Sequence, residues 1–74
     1  MESYDYDLGT RNLRLERDGP ILWCTIDRPG ARNAFTPAMY FGIKKAVRHV
    51  NDPRNDLAAL ILTDKDWFGA QGLA

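Results

Sequence analysis

Seventy-four residues with 45% hydrophobic and 27% charged content amount to one globular domain at most, and they exclude a disordered chain. Lys+Arg and Asp+Glu both number 10, so no net field draws the chain to nucleic acid or to an anionic membrane, and neither is expected as a partner. The single cysteine, Cys24, excludes an internal disulfide and no metal-ligand spacing occurs, so a domain burying only about 60% of its unfolded surface must hold by packing or association.

Residues 1–12 read as a flexible N-terminal arm, acidic and with Tyr4 and Tyr6 alternating. The arm lacks the basic and apolar regions of a secretory signal, and no run of about 18 apolar residues is present to span a bilayer, so a cytoplasmic location is expected. Leu13 and Leu15 alternate with Asn12, Arg14 and Glu16, the period-two pattern of a half-buried strand. Asp18-Gly19 joins that strand to an apolar run at 21–26 and predicts an antiparallel hairpin, with Pro20 opening the second strand. Cys24, inside the run, reads as a small buried thiol. Pro29-Gly30 ends the strand, since proline lacks an amide donor and glycine tolerates positive φ.

Thr36 before Pro37 is the order of a hydroxyl cap followed by a residue that needs no amide, and it predicts a helix from 37 to about 50. Met39, Ile43, Ala46, Val47 and Val50 recur at spacings of three and four and form its apolar face. Lys44, Lys45, Arg48 and His49 take the remaining face, where they complement the macrodipole. They read as a solvated face, although cations so spaced can also meet phosphates. Gly42 weakens the helix by up to ~1 kcal/mol relative to alanine, a cost that close packing on the sheet would offset. Asn51-Asp52-Pro53 stops the helix. Residues 57–63 are an apolar run without alternation, predicting a strand covered on both faces and, through a right-handed crossover, parallel to the 21–26 strand. The fold class expected is α/β: a β-hairpin followed by a right-handed β-α-β unit.

Glycine-bearing segments follow both parallel strands, at 27–36 and 68–74, where open α/β sheets place ligands. Neither is a dinucleotide fingerprint or a phosphate loop. Glu16, Asp18, Asp52, Asp56, Asp64 and Asp66 form no pair suited to acid/base work, and His49 reads as a surface residue. Trp23, Phe35, Trp67 and Phe68 read as packing residues.

The order of the Leu15-Glu16-Arg17-Asp18-Gly19 hairpin, Ile26-Asp27-Arg28-Pro29, Arg32-Asn33-Ala34-Phe35, the helix, and Leu60-Ile61-Leu62-Thr63 before an aromatic and small-residue loop resembles the enoyl-CoA hydratase/isomerase (crotonase) family. The resemblance runs from about Leu13 to the last residue. It implies that residues 13–74 are a truncated ββαβ unit, the first turn of the crotonase spiral, ending in the oxyanion loop. It implies lyase or isomerase chemistry on acyl-CoA thioesters, as in fatty acid metabolism, with acyl-CoA as substrate and no covalently held cofactor. By it, the backbone at Ala31, Arg32 and Ala34 faces coenzyme A, and Ala70, Gly72 and Leu73 cover the thioester. Gly72 supplies an oxyanion-hole amide, a donor whose loss can cost ~3 kcal/mol of barrier. Gln71 and Leu73 stand where the family has glycine and aspartate. The family's second oxyanion amide and catalytic glutamates lie in later segments, so the chain is expected to be an N-terminal fragment without independent catalysis. The alternative is a small interaction module that self-associates, as a homo-oligomer, or binds a full-length relative through an open sheet edge and the Trp67-Phe68 patch.

Overall fold

The structure, a computed structural model, describes residues 1–27 and 36–64. Four strands lie in the order β1 (Glu2–Ser3), β2 (Leu13–Asp18), β3 (Ile21–Ile26) and β4 (Ala59–Asp64). The helix α1 (Pro37–Asn51) and a single 3₁₀ turn (Pro53–Asn55) connect β3 to β4. The pairs β1–β2 and β2–β3 are antiparallel, and β3–β4 is parallel. The chain is thus a small α/β domain in which the hairpin and the parallel β-α-β unit expected from the sequence are both present.

The hairpin closes on a two-residue loop, because Asp18 pairs with Ile21. Gly19 takes φ +58° and Pro20 follows it. Glycine at the first central position suits a type II′ turn, whose twist matches that of the strands. Pro20 therefore belongs to the turn and not to the strand, and its carbonyl accepts from Ala58 N at 2.7 Å. Arg17 braces the same corner, donating from Nε to Gly19 O at 2.7 Å and from Nη2 to Asp56 O at 3.2 Å.

Alternation along β2 and β3 sends Leu13, Leu15, Leu22 and Cys24 to one face, where α1 covers them with Met39, Ala46 and Val50. Thr36 Oγ1 accepts from Met39 N at 3.1 Å, with Pro37 in the first turn, so the helix begins by the capping chemistry its sequence announces. Val47, counted with the apolar face from spacing, is 42% exposed, and Gly42 takes a buried position instead. A Cβ on Gly42 would lie 2.7 Å from Leu13 Cδ1 and 3.0 Å from Leu8 O. The glycine lets the helix seat against the sheet, which offsets its poor helix propensity.

The structure departs from the sequence reading in three further places. The stretch expected to be a loose arm is laid along the sheet: Glu2 pairs with Arg17, Ser3 with Glu16, Tyr4 N donates to Leu15 O at 3.0 Å, and Leu8 is buried in the core. Its tyrosines have no visible partner in the sequence because that partner is the C-terminal part of α1, some 45 residues away. There the half-buried His49 holds Tyr4 Oη at 2.6 Å on Nε2 and Asn55 Nδ2 at 3.3 Å on Nδ1, and Tyr6 stacks on the ring at 3.9 Å between centroids. Asn55 Nδ2 also donates to His49 O, so a proton on Nε2 is the arrangement that satisfies both ring contacts. His49 is thus a packing residue and not a solvated one. Finally, β4 was expected to be covered on both faces, yet no residue of it is buried and Leu62 is 48% exposed. Among the described residues β4 has one strand neighbour, so it lies at the sheet edge.

Candidate functional site at the carboxyl end of the parallel pair

The strands β3 and β4 run in step from Ile21 beside Ala59 to Ile26 beside Asp64, and so finish at the same edge of the sheet. From that edge the chain passes into residues 28–35 after β3 and into residues 65–74 after β4. The helix starts at this end too. Gly42, in its first half, packs on Leu13, which pairs with Ile26, while its last turn leads through Pro53–Asn55 to Ala58, bonded at the opposite end to Pro20. The carboxyl ends of parallel strands, with a helix N-terminus beside them, are where open α/β sheets hold ligands.

The helix contributes positive potential at that end, beside the carboxylates of Asp27 and Asp64. The first turn of α1 has no acidic side chain, so nothing on the helix neutralises the positive end of its macrodipole. Asp27, the last described residue after β3, is anchored: its amide donates to Asn12 O at 2.7 Å, and its carboxylate lies 3.4 Å from Arg14 Nη1.

The residues expected to form the thioester site, Ala31, Arg32, Ala34, Ala70, Gly72 and Leu73, lie outside the described residues, as do Phe35, Trp67 and Phe68. What the structure brings together is their points of departure. No group of three or more His, Cys, Asp or Glu suited to a metal exists among the described residues. No described helix is long and apolar enough to cross a membrane. Burial pushes the Cys24 thiol up to about 11, which keeps it protonated and unreactive at neutral pH. The Arg54 guanidinium and amide beside Asp52 hold its carboxyl down at about 2, in a local ion pair at 2.6 Å that caps the 3₁₀ turn. On the sheet face away from α1, Trp23 Nε1 is buried without a hydrogen-bond partner.

Two shallow hollows lie elsewhere. One, of about 480 Å³, is lined by Met1, Glu2, Arg17, Asp18, Gly19, Pro20 and Asp56, at the end of the sheet opposite the candidate site. The other, of about 410 Å³, is lined by Tyr6, Phe41, Lys44, Lys45 and Arg48. The second draws together an aromatic from the N-terminal segment and one stripe of the helix, and sequence reasoning recognised its cations but not its shape. The available signal was the absence of any Asp or Glu from 37 to 51.

No protein-family model, curated protein or solved structure matches the chain.

Proposed function

We propose that this chain supplies one wall of an acyl-CoA thioester site of the enoyl-CoA hydratase/isomerase kind, with the Gly72 amide as an oxyanion donor and the backbone at Ala31, Arg32 and Ala34 against the coenzyme. One observation carries the reading. The two segments that bear the family-like residues spring from Ile26 and Asp64, paired positions on neighbouring strands that lie about 4.8 Å apart. Two segments rooted so closely can meet over one ligand. A thioester oxygen that gains negative charge as an enolate is stabilised by amides aimed at it, and the exposed positive end of α1 adds to the same field.

By the same resemblance the catalytic glutamates belong to later segments, and three of the described carboxylates are already engaged. Asp52 is held by Arg54, Asp27 lies beside Arg14, and Asp7 accepts from the Gly9 amide at 2.8 Å. Binding without turnover is therefore expected from the 74-residue chain. Crotonyl-pantetheine, a thioester without the nucleotide, is expected to bind at a Kd of about 1 mM by ligand-observed NMR, and Gly72→Pro, which removes the amide donor, to weaken it. Absence of binding at about 10 mM, or hydration of the thioester by the chain alone that Gly72→Pro abolishes, contradicts the proposal.

Among the described residues β4 has one side without a strand neighbour, which supports a second reading, an interaction module that pairs with a second copy or a relative. Sedimentation at high concentration distinguishes it: a concentration-dependent dimer supports association, and a compact monomer removes it.

A further inference from the structure

We propose that the outward stripe of α1, together with Tyr6, is a binding site for a phosphate-bearing anion that also carries a flat ring, a nucleoside diphosphate being the simplest case. The site is independent of the thioester reading, because it uses none of the residues that reading invokes. Phe41, Lys44, Lys45 and Arg48 stand at i, i+3, i+4 and i+7, so the helix places them on one face. With Tyr6 they line an open surface hollow of about 410 Å³.

The hollow has one sign of charge. Three of its five lining residues are cations, and α1 contains no Asp or Glu. Among the described residues neither Lys44 nor Arg48 has a carboxylate partner; the ion pairs present are Arg14 with Asp27 and Arg54 with Asp52. Asp7, on the arm, turns its carboxylate to the Gly9 amide and offers its backbone oxygen to Lys45 Nζ at 2.7 Å. One wall is already braced: Lys45 Nζ lies 5.1 Å over the Tyr6 ring, and Tyr6 is stacked on His49. The other wall is an aromatic face left to solvent, with Phe41 63% exposed beside a 55% exposed Tyr40. Guanidinium and ammonium groups recognise phosphate oxygens by charge-assisted hydrogen bonds, the former as a fork, and an exposed phenyl ring accepts a stacked base. The chain's zero net charge hides this stripe, because α1 itself carries no Asp or Glu.

Titration of the ¹⁵N-labelled chain with ADP tests the proposal, with pyrophosphate as the arm without a ring and anionic phosphatidylglycerol vesicles as the lipid arm. ADP is expected to give saturable shifts confined to Tyr6 and residues 41–48, weakening as salt rises. Loss of two charge-assisted contacts in Lys44→Ala/Arg48→Ala is expected to weaken binding by about tenfold or more. Both side chains are exposed, so an unchanged far-UV spectrum shows that the fold survives. Phe41→Ala is expected to bring the ADP affinity down to that of pyrophosphate. Shifts that ignore the double substitution, or binding to the vesicles with no response to ADP or pyrophosphate up to about 10 mM, would overturn it.

Discussion

The two ends of the parallel strand pair are built to different specifications. At the amino end, Ala58 N bonds to Pro20 O, Arg17 spans from Gly19 O to Asp56 O, and the arm closes over His49 through Tyr4 and Tyr6. At the carboxyl end, β3 and β4 stop side by side, a helix presents a first turn free of acidic groups, and the glycine-bearing segments depart. The difference teaches a division of labour: contacts from Arg17, Ala58 and the arm brace the amino end, whereas the carboxyl end, held by the Asp27 amide on Asn12 O, is the one we propose to meet a ligand.

Substitutions that break the comparison do so in graded fashion. Leu22 is fully buried between sheet and helix, and Leu22→Ala is expected to cost about 2–5 kcal/mol, enough to lose both ends together in a urea titration. Gly42→Val forces branched atoms into the space held by Leu13 and Leu8 O; about 1–3 kcal/mol of destabilisation is expected, with the loss read as a lower thermal midpoint. Arg17→Ala removes two hydrogen bonds from the amino end alone and is expected to cost about 1 kcal/mol, raising amide exchange at Ala58 and around Gly19 while leaving thioester binding intact. An equal loss of binding would show that the two ends are not separable.

The smallest effects are those of pH. Because the folded Cys24 thiol titrates near 11, above its ordinary value of 9.0, its contribution is fully present below about pH 9 and is lost as pH rises through 11. Cys24→Ser should flatten that alkaline decline, and a thiol reagent should label the native chain only as fast as it unfolds. Asp52 runs the other way. Its carboxyl is held at about 2 against an ordinary 3.8, so its contribution is present above about pH 4 and fades toward pH 2. The pair with Arg54 is exposed to solvent, and Asp52→Asn should change acid stability only slightly.

Much of this fold is legible in the sequence because its signals are local. Thr36-Pro37 names the start of the helix, Asp52-Pro53 its end, and the turn at Gly19 joins two runs that alternate or bury as strands do. What is not legible depends on partners distant in the chain. The alternation of Tyr4 and Tyr6 reads as a loose arm until His49 is brought beside it, and Gly42 reads as a flaw in the helix until Leu8 and Leu13 are seen to fill the space a side chain would need. The run at 57–63 is as apolar as a doubly covered strand, yet β4 lies at the edge, because composition reports hydrophobicity and not the number of neighbours. The candidate site is legible only as a location: two glycine-bearing segments after two strands, which the parallel register then roots at a shared edge.

The most direct measurement of that division is an amide-resolved titration of the intact chain with crotonyl-pantetheine. The account predicts that shifts concentrate at Ile26, Asp27, Thr36 and Asp64 and in the segments 28–35 and 65–74, with the corner at Gly19 and Ala58 silent. Shifts centred on that corner, or spread evenly over both ends of the sheet, would contradict it.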